Sequence, residues 1–140
     1  MGIKTIGLDI NENQLAMAKK VGADAVFNSM TNKNYVEEIK KLTGKGCHAA
    51  AVYSASNAAY AGAPDVLRTG GLLMIIGIAP KGLDFINTFD LTTGRYRVKA
   101  DSTGIPQRMK KAVDFTGKHR YVNIKPIQLF SNLTCAQYSA

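Results

Sequence analysis

Tyr53, Lys99, Asp101 and His119 are the side chains of this sequence best suited to moving protons. In Arg95-Tyr96-Arg97-Val98-Lys99-Ala100-Asp101 charged and apolar residues alternate with period two, which is the pattern of a strand with one wet face. Arg95, Arg97, Lys99 and Asp101 share that face, and Tyr96, Val98 and Ala100 share the other. An acid beside an amine, with a phenol or imidazole in reach, can run enolisation, cyclisation, aldol or dehydration chemistry without a cofactor. A charged strand face also serves solubility, and His119, in Gly117-Lys118-His119-Arg120, falls in a post-helix turn of surface character. A second acid, Asp9, closes the apolar run that opens the sequence, where it suits either a ligand hydroxyl or the start of a helix. Metal chemistry is not expected. Cys47, His48, His119 and Cys135 show no metal-ligand spacing, and adjacent Cys47-His48 is poor chelate geometry. The two cysteines read as reduced thiols.

The net charge of +8 is concentrated. Nine Lys/Arg lie between Arg95 and Lys125 against Asp101 and Asp114, which leaves the rest of the chain close to balanced. Such a segment attracts a small-molecule or anionic ligand, or else forms solvated helix faces. No aromatic interleaving or nucleic-acid motif accompanies it, so nucleic acid is not an expected partner. Hydrophobic residues at 46% and charged residues at 20% are those of a globular protein, and 140 residues suffice for a single domain, 1–140. No apolar run approaches membrane-spanning length and no signal-peptide pattern opens the chain, so the expected location is the cytoplasm, with no membrane partner.

The elements that must position these residues alternate. Ile3–Asp9 reads as a strand; Asn11 or Asn13 caps a helix carrying Leu15, Ala16, Ala18 and Val21 that stops at Gly22; and Asp24–Asn28 is a short strand. Thr31 or Asn32 caps a second helix with Tyr35, Val36, Ile39 and Leu42 on one face. Ala49–Tyr53 is the next strand, Ser54–Leu67 a helix interrupted near Pro64, Arg68-Thr69-Gly70-Gly71 a tight turn, and Leu72–Ile78 a continuous apolar strand. After the charged strand, Pro106 suits the first turn of a helix with Met109, Ala112, Val113 and Thr116 along one side, ending at Gly117, and Val122–Phe130 is a last extended stretch. Repeated β-α-β units with right-handed crossovers give an α/β, doubly wound, mostly parallel sheet.

"TIGLDINENQLAMAKKVGADAVFN", "LTGKGCHAAAVYSAS", "APDVLRTGGLLMIIGIAP" and the stretch from Ser102-Thr103-Gly104 to Pro126, in this order, resemble the cofactor domain of the zinc-dependent alcohol dehydrogenases of the medium-chain dehydrogenase/reductase superfamily. The resemblance implies a Rossmann-like fold. It implies that Asp9 accepts the adenosine ribose hydroxyls of NAD and repels a 2′-phosphate, and that Ser54 lies beside the nicotinamide ribose. Gly77-Ile78-Ala79 would present backbone groups to the carboxamide, and Thr103-Gly104 would close that side. The sequence departs from the pattern in several places. Gln14 stands where a basic residue is usual, the apolar sixth strand has become Arg95–Asp101, and Ile105-Pro106-Gln107 replaces an expected arginine.

The family's first strand and glycine-rich loop, its zinc ligands and its catalytic domain have no counterpart in this sequence. The loop's N–H groups hold the pyrophosphate, at about 1.5–3 kcal/mol per charged hydrogen bond. The expectation is therefore a truncated alcohol dehydrogenase-like domain with weak NAD binding or no cofactor, no zinc, and no dehydrogenase activity alone. A repurposed non-redox enzyme and an inactive oligomerisation or binding module are the alternatives. In the strand order 3-2-1-4-5-6 the absent strand is central. Either its neighbours pair directly, as 3-2-4-5-6, or another chain fills the gap; exposed strand edges favour a homodimer or larger homo-oligomer.

Overall fold

A computed structural model describes residues 2–84, 86–101 and 104–118. Among the described residues five strands and five helices follow one another through two compact units that divide between Cys47 and His48.

The first unit holds β1 (Ile6–Asp9), α1 (Glu12–Lys20), β2 (Ala25–Asn28) and α2 (Tyr35–Thr43). β1 and β2 pair in parallel from Ile6↔Ala25 to Asp9↔Asn28. α1 starts where Asn11 accepts the Asn13 N–H at 2.9 Å, and its ends carry Glu12 and the Lys19–Lys20 pair, the polarity a helix dipole favours. It packs on both strands, burying Leu15. Gly7 permits that approach, since a Cβ there would stand 3.3 Å from both Ala18 Cβ and Val26 Cγ1. At the strand ends the Asn28 amide reaches Glu12 and the Ile10 carbonyl, which ties β2 to the head of α1. α2 begins after Asn34, whose side chain makes no capping bond; Asn32 instead accepts the Asn34 N–H at 2.9 Å. The helix closes at Gly44 with φ 80°, a conformation that glycine adopts without strain. Of the four apolar positions expected on its inner face, Ile39 is fully buried, whereas Leu42 is exposed.

The second unit holds β3 (Cys47–Val52, beginning at the unit boundary), α3 (Asn57–Gly62), a 3-10 turn at Pro64–Val66, β4 (Leu67–Ile75), α4 (Thr88–Thr92), β5 (Tyr96–Ala100) and α5 (Pro106–Lys118). Its sheet order is β3-β4-β5, and β4 and β5 pair in parallel from Gly71↔Tyr96 to Ile75↔Ala100. Tyr60, Leu73 and Tyr96 are its most deeply buried large side chains, with Val52, Val66 and Leu67 around them.

Several expected boundaries change. No turn separates Arg68 from Leu72: β4 runs straight through the glycines. Gly70 has φ 72°, and its N–H points at the Gly94 and Arg95 carbonyls, 3.1 and 3.0 Å away, so the glycine bends a paired strand without ending it. The strand stops at Ile75, and Ile76–Ile78 leave the ladder to become loop. α4 was not foreseen; the Asn87 side chain caps it by accepting the Asp90 N–H at 2.7 Å. β5 shows the alternation in part, with Tyr96 buried, Val98 half-buried and Ala100 exposed. α5 is helical as predicted, but none of its residues is buried; Met109 and Val113 are 64% and 61% exposed. The direct pairing of the strands now seen as β1 and β3 is not found among the described residues: the β1-β2 ladder and the β3-β4-β5 ladder are separate. The stretch at 122–130 lies outside the described residues.

Candidate functional site

The C-terminal ends of β4 and β5 open into a cleft of about 600 Å³. Its walls are largely apolar, with Ile75, Ile76 and Ile78 on one strand exit and Ala100 on the other. Lys81 and Asp101 supply its charge, and Tyr60 stands behind it. Ligands of open α/β sheets bind at such strand ends.

The exit of β4 is held by close backbone contact. A Cβ on Gly77 would lie 2.3 Å from the Ser54 carbonyl oxygen and 2.6 Å from that of Tyr53, so only glycine allows the segment after β3 and the segment after β4 to touch. The Ile76 and Gly77 N–H groups both donate to the Val52 carbonyl, at 3.1 and 2.9 Å. From behind, the buried Tyr60 hydroxyl donates to the Gly77 carbonyl and lies 3.3 Å from the Val52 carbonyl. Burial pushes the Tyr60 phenol above its ordinary range, with the Ile76 N–H pulling the other way. Beyond the clamp the loop turns outward, and the Asn57 side-chain amide donates to the Lys81 and Gly82 carbonyls at 3.3 and 3.1 Å.

This geometry redistributes the expected roles. Gly77 already uses its N–H on Val52 and accepts the Tyr60 hydroxyl at its carbonyl, so it acts as a steric cradle. Among the described residues the backbone groups of Ile78 and Ala79 carry no such bond, and both residues line the cleft. Ser54 touches the back of this wall through its carbonyl, while its hydroxyl accepts the Ser56 N–H at 3.0 Å. Asp101 lines the cleft, is half exposed, and stands 3.9 Å from the Arg108 guanidinium; its N–H donates to the Ile75 carbonyl at 3.0 Å. Lys99, on the same strand face two residues earlier, does not line the cleft, and neither does Tyr53, which is 69% exposed. The acid–base group expected of Tyr53, Lys99 and Asp101 is thus represented in the cleft by Asp101. His119 and Thr103 lie outside the described residues.

Asp9 ends β1 in the first unit. It is half-buried, and Oδ1 accepts the Asn11 N–H at 2.9 Å, which shapes the turn into α1; the cap itself is Asn11. Cys47 and His48 are consecutive on β3 and so point to opposite faces. His48 Nε2 lies 2.6 Å from the Arg68 guanidinium, and burial raises the Cys47 thiol above its ordinary range. Among the described residues no three His, Cys, Asp or Glu side chains gather as metal ligands. Gly44-Lys45-Gly46-Cys47-His48-Ala49 has the spacing of a dinucleotide loop, but it joins α2 to β3; a pyrophosphate loop leaves a strand and opens a helix. The basic segment is partly internal too. Arg95 reaches Asp65 and Asp90 at 3.3 and 3.2 Å, and Arg97 donates to the Gly70 carbonyl at 3.2 Å.

Residues 1–118 match the zinc-binding dehydrogenase family model. The chain belongs to that family. An alcohol dehydrogenase of Geobacillus stearothermophilus is 27% identical over 133 residues, which cover 95% of this chain and 39% of that protein. An alcohol dehydrogenase of Rhizobium meliloti is 33% identical over 118 residues, 84% of this chain and 34% of that protein. Among solved structures, benzyl alcohol dehydrogenase from Acinetobacter calcoaceticus superposes with a TM-score of 0.71 at 25% identity, covering 84% of this chain and 33% of that one. The chain spans 33–39% of the length of these proteins, and it shares a Rossmann-like α/β fold with the superposed structure. No described helix is long and apolar enough to cross a membrane.

Sequence reasoning missed Asn57, Tyr60 and Lys81. The Asn57-x-x-Tyr60 spacing, one helical turn, was a usable signal for the first two; nothing local marks Lys81.

Proposed function

We propose that this chain is a nicotinamide-dinucleotide-binding segment of alcohol dehydrogenase type, with the cleft at the ends of β4 and β5 taking the nicotinamide end. One observation carries the reading: the backbone cradle at Gly77, in which a Cβ would strike the Ser54 carbonyl, holds the start of a loop whose Ile78 and Ala79 line a largely apolar cleft. That surface fits a flat ring bearing a carboxamide, which needs apolar faces and one donor–acceptor edge. When bound, the nicotinamide supplies hydride transfer. The residues named here hold and orient the ring and keep water from one face. Taken by itself in the first unit, the Asp9 carboxylate keeps one oxygen that the Asn11 N–H does not take, the kind of acceptor a ribose hydroxyl needs.

A second reading, cofactor-free acid–base chemistry, is favoured by the presence of Asp101 in the cleft. Titration with NADH during thermal unfolding separates the two. A ligand at about 100 times its Kd adds about 2.7 kcal/mol, a shift of several degrees for a domain of this size. The expected result is a saturable shift with NADH that weakens in Asp9→Ala and persists in Asp101→Asn. Absence of any shift at millimolar NADH sinks the cofactor reading. Turnover of a carbonyl substrate without cofactor, abolished in Asp101→Asn, would establish the second reading.

A further inference from the structure

We infer that Asn57 and Tyr60, one turn apart on α3, are positioning residues that hold the loop leaving β4 in the shape that binds ligand. The inference rests on the cofactor reading for the identity of that ligand, but the clamp itself stands on geometry. The two side chains share a helix face and grip the same loop at two points: Tyr60 at the Gly77 carbonyl, and Asn57 at the Lys81 and Gly82 carbonyls. Between the grips lie Ile78 and Ala79, which line the cleft together with the gripped Lys81. Both partners of Asn57 are carbonyls, so the amide nitrogen must face them; only the nitrogen donates. A loop pinned at both ends presents its free groups at no further ordering cost, whereas a loose one pays that cost when ligand binds.

The variant that isolates this role is Asn57→Asp. It keeps the shape of the side chain and places an acid in the first turn of a helix, which the free N–H groups there favour. It also removes the donor and sets a carboxylate against two carbonyls. A residue that served only the helix would tolerate the change. The loop offers a readout independent of ligand, because the Lys81–Gly82 peptide that Asn57 holds is itself a tryptic site.

The experiment measures tryptic cleavage after Lys81 and NADH affinity in the full chain, in Asn57→Asp, and in Tyr60→Phe, which keeps the buried ring and loses the hydroxyl. Expected are cleavage at least tenfold faster in Asn57→Asp, a roughly tenfold rise in the NADH Kd in both variants, and protection of the wild-type site by NADH. Unchanged cleavage in Asn57→Asp overturns the clamp, whatever NADH does. Faster cleavage with unchanged NADH affinity overturns its role in binding. Faster cleavage in a chain whose wild type binds no NADH overturns the cofactor reading, and the assigned ligand with it, while leaving Asn57 as the loop's anchor.

Discussion

At the scale of single residues, the chemistry of this chain is set by what the backbone permits. Gly77 is the clearest instance. Any Cβ there meets two carbonyl oxygens that belong to main chain and cannot rotate away. Gly77→Ala must therefore separate the segments after β3 and β4, at a cost of about 1–3 kcal/mol, the range of overpacked cores. The expected outcome in urea unfolding is a lower midpoint with an unchanged slope, together with loss of any NADH-induced shift; an unchanged midpoint would show that the two segments part freely. The sequence marked Gly77 only through the family resemblance, as a residue beside the carboxamide, and gave no sign of its packing role. It predicts a glycine near a ligand, but whether that glycine bonds the ligand or makes room for a neighbouring chain depends on Val52 and Tyr60, which are 25 and 17 residues away. Asp101 was legible for a different reason: period-two alternation follows from strand geometry alone, and it placed an acid at the end of β5. The same alternation could not tell that Lys99, on the same face, stays out of the cleft, because the strand's end and not its face opens there.

At the scale of elements, the legible parts are those whose signals are local. Asn11 stands before an amphipathic run and caps α1 as its type predicts. Asn11→Ala removes the acceptor for the Asn13 N–H and is expected to cost about 1 kcal/mol, with Asn11→Asp retaining most of it. Equilibrium unfolding followed by far-ultraviolet circular dichroism checks this, and equal stability of the alanine variant would show that the Asn28 contacts hold the helix head unaided. The glycine pair in β4 misled for the opposite reason. Gly70-Gly71 carries every local mark of a turn, yet the pairing partner of that stretch, β5, begins at Tyr96, and no local pattern reveals that a strand edge waits there to receive it. α4 escaped because it is five residues long and stands on one cap, Asn87. α5 was found from its periodicity, but periodicity reports which residues share a face and not whether anything covers that face; Met109 and Val113 are exposed.

At the scale of the whole molecule, the buried titratable groups set how stability depends on pH. Desolvation raises the Cys47 thiol and the Tyr60 phenol; for Tyr96 desolvation leads, the Asp90 carboxylate adds to it, and Arg95 opposes. Each is neutral when protonated, so a raised native pKa means that the folded state holds the proton more tightly than the unfolded chain does. The stabilisation is complete below the unfolded pKa values, about 8.5 for a thiol and 10 for a phenol, and drains away as pH climbs through the native ones. Stability should therefore be level through neutrality, decline above about pH 8.5 and fall faster above about pH 10. Tyr96 makes this testable in one substitution. Its hydroxyl is buried with no hydrogen-bond partner among the described residues, which carries a desolvation penalty of about 1–3 kcal/mol. Tyr96→Phe keeps the ring packed between its neighbours and deletes both the penalty and one titrating group. The expected result is a urea midpoint equal to or above that of the wild type at pH 7, and a shallower decline above pH 10. Tyr60→Phe should behave differently at neutral pH, since that hydroxyl is bonded to Gly77 and its loss leaves a buried carbonyl unsatisfied. If Tyr96→Phe lowers the midpoint at pH 7 as much as Tyr60→Phe does, the Tyr96 hydroxyl is hydrogen-bonded in solution.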